Sequence, residues 1–488
     1  MNIIGIEPKA PGLHIFAKGY MPRLGLPLLL TIAEKMGHQC QIFCEEIAPI
    51  PWDLVEKADL VLMSTITSTA PRNFNQIKKI KEINPRAPVL IGGPHVTFLP
   101  EEALNEGADY VFRHEADRSF SKFLKWFESE NKDLQELFEI FGLSFKIGNR
   151  FQHNPDPPVV DLDTLPTPNL DLIFRYSEPD GIPIITSRGC PHNCEFCSET
   201  AMSGHKYRFR SEQKVLEDIM YYDKRYGKTS MFIADDNLGA NPLRLERLCQ
   251  AIIDNGLERP LTGQIRLDLA KRPQTLAIMA RAGFERVCIG YESTEQQSLE
   301  ETGKDLKYEE MEEYTRIIHQ FNIAIHAMWV AGFDHDTLET IWNNFWASIK
   351  WLIETTQILI LGPSPGSDLY IRLIRENRIF IWDYTKWDGH HVVFYPKNMT
   401  PFQLQAAVLL EAMPKLYNLW QTARIFVINN WRLVTGFLRP NWHPIREMNR
   451  NVYTLLVRLW GKYATWRAKK PVRKYLQEIA LLMKKARF

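Results

Sequence analysis

The chain has 488 residues, of which 45% are hydrophobic and 24% charged, with a formal net charge of +1. That length exceeds a single core and predicts two or three domains; the composition excludes a disordered or collagenous chain, and no apolar run reaches bilayer length. Four of the seven cysteines (Cys40, Cys44, Cys249, Cys288) are scattered, against a disulfide framework, and "MNIIGIEPKAPG" lacks the regions of a signal peptide, so a cytoplasmic protein is expected.

The first part of the chain alternates strand-like and helix-like stretches. "NIIGIE" is a short β-branched run, followed by the amphipathic "LPLLLTIAEKMG", which should close at Gly37. "QCQIFCEE", "DLVLMSTI", "APVLIGG" and "DYVFRHE" read as four more strands, accompanied by helical "NFNQIKKIKEIN", "PEEALNEG" and "SFSKFLKWFES". This α/β pattern predicts a doubly wound parallel sheet over residues 1–150. Its ligands should gather at the carboxyl ends of the strands, residues 7–12, 64–69, 92–95 and 114–117. The proline-rich stretch at 151–175 predicts a linker. From "GIPIITSRGC" the alternation resumes, with strands "PIITS", "SMFIADD", "LTGQIRLD", "RVCIGYES", "IAIHAMWVAGF" and "TQILILGP". Six βα units over 176–372 predict a barrel or partial (β/α)6 barrel with its site at the carboxyl strand ends. Residues 373–488 should be mostly helical.

Cys190, Cys194 and Cys197 form the spacing CxxxCxxC directly after the first barrel strand. Soft thiolates select iron–sulfur clusters, zinc or copper. Zinc would need a fourth ligand, and the next cysteine, Cys249, is far outside a ribbon spacing, although His192 lies within the loop. A four-iron cluster held by three cysteines keeps one iron open. With Phe196 before the last cysteine, and a six-unit α/β region around it, the motif resembles the radical S-adenosylmethionine (radical SAM) superfamily. The resemblance implies that Cys190, Cys194 and Cys197 hold a [4Fe–4S] cluster whose open iron binds S-adenosylmethionine, cleaved reductively to a 5′-deoxyadenosyl radical. An external electron donor of flavodoxin or ferredoxin type is implied with it. By the same resemblance Asp235 and Asp236 would meet the amino group of S-adenosylmethionine, Arg266 its carboxylate and Glu292 its ribose, with Gly332 and the "GPSPGS" turn at 362–367 near the adenine. Each of these could instead be an ordinary ion pair or turn.

The text "LGLPLLLTIAEKMGH", "ADLVLMSTITSTAPR" and "VLIGGPHVTFLPEEALNEGADYVFRHEADRSF" resembles the cobalamin-binding domain fused to many radical SAM enzymes. It implies cobalamin at Ser64, Thr65, Thr67, Gly92, Gly93, His95 and Glu115. The DxHxxG motif of histidine-coordinated cobalamin is absent. Its place reads "EPKAPGLH", with His14 nearby, so coordination of cobalt by histidine is not expected. Only Cys40 and Cys44 lie in this domain, too few for the second cluster of a methylthiotransferase.

Residues 421–488 carry fifteen Lys and Arg against Glu447 and Glu478, leaving 44 basic against 56 acidic groups in residues 1–420. Trp431, Trp442, Trp460 and Trp466 lie among the cations, and Val452, Leu455, Leu456 and Leu459 recur at helical spacing. The apolar face is expected to dock on the acidic body as core, with the excess charge directed to an anionic membrane surface; nucleic acid is not expected. The leading expectation is a cobalamin-dependent radical SAM enzyme that methylates an unactivated carbon of a small-molecule or lipid substrate, cytoplasmic or peripheral on the inner face of the membrane. The alternatives are radical C–C bond formation or cyclisation on a lipid or tetrapyrrole, and a non-catalytic cobalamin- or lipid-binding protein.

Overall fold

A computed structural model describes residues 1–12, 21–177, 179, 181–435 and 444–485. His14 and Trp442 lie outside the described residues.

Strands β1 (Asn2–Glu7), β2 (Gln39–Cys44), β3 (Leu60–Ser64), β4 (Val89–Gly92) and β5 (Tyr110–Phe112) form a parallel sheet in the order β2-β1-β3-β4-β5. Side chains alternate between two buried faces, as the strand period of two requires. Ile4, Val61, Met63, Val89, Ile91 and Val111 fill one side. Ile3, Leu60, Leu62, Leu90 and Phe112 face the other, where their cluster runs on into the second half of the molecule. The order reverses between β1 and β3, so the ends of these two strands flank the crevice where such sheets take ligands. The sheet does not stop at residue 150. An antiparallel hairpin, β6 (Leu143–Ile147) and β7 (Arg150–His153), extends it beside β5. Asn154 holds the hairpin in place, its side-chain amide donating to the carbonyls of Leu137 and Ile140 at 2.8 Å each.

The second half carries β8 (Ile182–Ile184), a short hairpin of β9 (Ser187–Arg188) and β10 (Arg208–Phe209), then β11 (Met231–Ile233), β12 (Leu261–Ile265), β13 (Phe284–Glu292), β14 (Ala324–Ala331) and β15 (Thr355–Ile360). Six of these, β8 and β11–β15, are parallel and lie in sequence order, which makes an open six-stranded barrel. The intervening helices begin and end on local chemistry. For Glu212–Tyr226, the Ser211 hydroxyl accepts from the Lys214 amide at 3.2 Å, and Gly227 takes a positive φ at the other end.

β15 is an edge strand, and its backbone is paired by the helical region that follows. The Tyr417 hydroxyl accepts from the Thr356 amide at 3.1 Å and donates to the Thr356 carbonyl at 2.6 Å. The Ile358 amide meets the Met413 sulfur at 3.3 Å. An exposed row of such groups would invite another strand, so this cover removes the hazard. Gly461, in the helix Pro444–Lys485, makes room for the Tyr417 ring, which a Cβ at 461 would approach to 2.4 Å. Gly461→Val should therefore destabilise the fold by about 1–3 kcal/mol, visible as a lower urea midpoint at unchanged slope.

The last two described helices, Leu419–Thr435 and Pro444–Lys485, depart from expectation in polarity. Val452, Leu456 and Leu459 point outward, whereas Arg450, Asn451, Thr454 and Arg458 are buried. The inward side chains serve the barrel floor. Arg458 donates to the carbonyls of Glu354 and Leu416, Arg450 to that of Asn322, and Thr454 accepts from Arg286 at 3.0 Å. No helix among the described residues is long and apolar enough to cross a membrane.

Candidate active site

The cysteine loop occupies the carboxyl end of β8, between β9 and the helix Glu199–Ser203. All three cysteines are free and partly buried. The loop folds on itself through the Cys197 amide to the Cys194 carbonyl at 3.0 Å, and the Glu199 amide points at Cys197 Sγ at 3.5 Å. Burial raises all three thiols, Cys197 to about 12, while the Arg266 charge pulls Cys190 and Cys194 down and Lys304 pulls Cys194 down. Among the described residues no three His, Cys, Asp or Glu side chains gather on one metal ion. A four-iron cluster places each thiolate on its own iron, so the donor set fits a cluster without such convergence.

Arg266 follows β12. Its Nε and Nη1 are buried without a hydrogen-bond partner among the described residues, Nε standing 3.4 Å from Asp268 in poor alignment. A buried guanidinium with open donors beside the cysteines suits a planar carboxylate.

The acidic residues expected around the cofactor divide into separate structural settings. Asp235 is fully buried and accepts from the Thr186 and Ser187 amides, at 2.7 and 2.9 Å, and from both hydroxyls. Burial pushes its carboxyl up while Arg244 and those hydroxyls pull it down. Its acceptor sites are occupied by the start of the cysteine segment, which it locks in place. Asp236 opens to solvent at the barrel mouth and takes the Gly189 amide, in contact with Glu199. Burial and the Asp236 charge raise Glu199 to about 7.

Glu292 adopts a left-handed φ of 61° at the end of β13 and pairs with Lys304 at 2.6 Å. Lys304 also donates to the Gly290 carbonyl at 2.7 Å, and its charge reaches Cys194. The Gly332 amide is taken by Asp336 at 2.9 Å, and a Cβ there would meet Leu404 at 2.9 Å, so core packing accounts for this glycine. In the 362–367 turn, a Cβ on Gly366 would lie 2.4 Å from the Phe98 ring. This turn seats the first domain.

In the first domain, Ser64, Thr65, Thr67, Gly92 and Gly93 share one sheet edge. The Thr65 amide donates to the Gly92 carbonyl at 3.0 Å. Gly93, with φ at 115°, brings its backbone so near Thr65 that a Cβ would sit 2.2 Å from the Thr65 carbonyl oxygen. His95 is fully buried, its Nε2 3.2 Å from Glu102, which also accepts from the Tyr384 hydroxyl at 2.8 Å. His95 Nδ1 and Asn73 Oδ1 are buried at this edge without partners among the described residues. Glu115 turns to the barrel instead, pairing with Arg208 at 3.0 Å and Arg188 at 3.4 Å, while Asp117 holds Arg188 at 2.6 Å.

The B12 binding domain family matches residues 14–124, and the radical SAM superfamily matches residues 184–343. The chain is a radical SAM superfamily enzyme with an N-terminal B12-binding domain. An uncharacterised methyltransferase of Pyrococcus horikoshii is 28% identical over 353 residues, 71% of this chain and 76% of its own. An anaerobic magnesium-protoporphyrin IX monomethyl ester cyclase of Synechocystis is 26% identical over 446 residues, 86% and 87% of the two chains. Among solved structures, the radical SAM methyltransferase TsrM of Kitasatospora setae, with cobalamin and a [4Fe–4S] cluster bound, shares the fold at a TM-score of 0.64 and 16% identity, over 77% of this chain and 78% of that one.

Sequence reading missed the clamp that this radical SAM enzyme places on its cysteine loop. Glu195, between the second and third cysteines, is held bidentately by Arg372, at 2.6 and 2.9 Å, and Arg372 also reaches Glu301 at 2.7 Å and Asp334. The Leu369 amide donates to the Glu195 carbonyl at 2.9 Å, and Phe196 packs on Phe333 with ring centroids 5.9 Å apart. Lys304 and Glu199 were missed as well. Glu199 had a local signal, an acid opening a helix directly after the motif; Arg372 lies 177 residues from its partner and had none.

Proposed function

We propose that this enzyme methylates an unactivated carbon of a hydrophobic small molecule, using a [4Fe–4S] cluster at Cys190, Cys194 and Cys197, S-adenosylmethionine beside Arg266, and cobalamin at the edge formed by Ser64, Thr65, Thr67, Gly92 and Gly93. When bound, these groups supply a 5′-deoxyadenosyl radical and a transferable methyl group. The carrying observation is the Arg266 guanidinium near the cysteine loop, whose buried Nε and Nη1 have no hydrogen-bond partner among the described residues although Asp268 stands 3.4 Å away. Arg266 orients a carboxylate, and the Glu195–Arg372 clamp keeps the loop in register. Asp235 keeps the residues leading into the loop in place, while the Glu292–Lys304 ion pair lies close enough to Cys194 for its charges to act on that thiol. The orphaned His95 Nδ1 and Asn73 Oδ1 suit the amides that rim a corrin. Electrons come from an external donor of flavodoxin or ferredoxin type.

Arg266→Gln should raise the KM for S-adenosylmethionine about 10–100-fold, the loss expected for a charge-assisted hydrogen bond, with cluster content unchanged. Anaerobic reconstitution followed by measurement of 5′-deoxyadenosine and bound corrinoid tests the reading. Failure to load iron and sulfide, or to cleave S-adenosylmethionine once reduced, would sink it. The cyclase among the relatives favours one second reading, radical C–C bond formation on a tetrapyrrole. A product heavier by one methyl supports the first; a product that has lost hydrogens supports the second.

A further inference from the structure

In the helix pair Leu419–Thr435 and Pro444–Lys485, the longer helix turns polar side chains inward and apolar ones outward around residues 450–459, although further along Val472, Tyr475, Leu476 and Ile479 are buried. On the longer helix Val452, Leu456, Leu459, Tyr463 and Trp466 are all exposed, at steps of four, three, four and three residues, a single stripe about 21 Å long. Trp420, Val427 and Trp431 repeat the pattern on the shorter helix, each at least 64% exposed. The polar residues beneath are consumed by the barrel floor, as Arg450, Thr454 and Arg458 show. Turning the helix to hide its stripe would strip those bonds from the floor, so the stripe is held outward.

We propose that this face is a docking surface for an anionic lipid bilayer. Three observations choose this occupant. Exposed Lys462, Arg467, Lys470, Arg473 and Lys474 stand beside and beyond the stripe, with Glu478 the acid among the next exposed positions. Such cations complement acidic headgroups. Four of the eight outward residues named are Trp or Tyr, whose rings settle at the headgroup level. A two-fold contact that set two copies of this helix parallel would bring two such cation groups together, which disfavours that arrangement of a second copy. Apolar insertion plus a basic cluster provides the two signals that stable surface attachment needs. The surface is independent of the chemistry proposed above, whose failure would leave it standing.

Co-sedimentation of the full-length protein with phosphatidylcholine vesicles, with and without phosphatidylglycerol, tests this. Wild type should pellet with the anionic vesicles only. Leu456→Glu with Trp466→Glu should weaken binding about tenfold or more, and Arg473→Gln with Lys474→Gln by roughly fivefold per cation. All four positions are exposed, so circular dichroism and S-adenosylmethionine cleavage without vesicles should match wild type. The proposal fails if wild type stays in the supernatant or if the double glutamate variant binds equally. It also fails if wild type is a dimer that ignores vesicles and dissociates on the same substitutions.

Discussion

Cys194→Ala is expected to yield a folded protein that retains neither iron nor sulfide after anaerobic reconstitution and forms 5′-deoxyadenosine at less than about one per cent of the wild-type rate. The argument is one of ligand count. Changes to residues that merely support a metal ligand already cost 10–100-fold, and on the proposed ligand set this change removes a ligand itself, which would leave two thiolates for four irons. The fold should survive, because the loop is anchored elsewhere. Glu195 stays clamped by Arg372, and the Leu369 amide still holds the Glu195 carbonyl. Visible absorbance and iron content read the loss of the cluster, and circular dichroism reads the retained fold. A variant that loads a full cluster would remove Cys194 from the ligand set.

Asp235→Asn should act on stability before it acts on cofactor affinity. The native carboxylate receives two amides and two hydroxyls from Thr186 and Ser187, with Arg244 bound to the Thr186 hydroxyl at 2.9 Å. An amide offers one acceptor oxygen and turns an NH2 group toward donors. Because the site is fully buried, the mismatch and the unbalanced Arg244 charge should cost roughly 3–5 kcal/mol. The variant should show a much lower thermal midpoint, and at temperatures where it is folded a KM for S-adenosylmethionine near that of wild type. A large rise in KM with an unchanged midpoint would return Asp235 to the cofactor.

The parts of this structure that could be read from sequence are those whose causes are local. "LVLMS" is buried on both faces of a parallel sheet, so its continuous apolar run was informative. The cysteine loop was legible for the same reason, since its three cysteines fall within eight residues. Residues that pair across the molecule were opaque. Glu115 sits at a ligand-bearing strand end by pattern, yet Arg208, 93 residues later, draws it to the barrel. Asp235 ends the expected strand but answers to Thr186, 49 residues earlier. The β6–β7 hairpin was passed over although Gly148 and Asn149 mark its turn. In the tail, helical spacing was evident, but periodicity cannot say which face turns inward. That choice belongs to the carbonyls of Asn322 and Glu354 on the barrel floor and of Leu416 in the helical region beside it.

Arg188 ties the first domain to the cysteine loop. It stands two residues before Cys190 and is gripped by Asp117 and Glu115 of the first domain. Swinging that domain outward would therefore tug on the cysteine loop itself, so neither half can be opened without disturbing the other. A change at Glu115 or Asp117 therefore reaches the cysteine segment through Arg188, with the Glu115–Arg208 pair and the His114 contact to the Met202 carbonyl beside it.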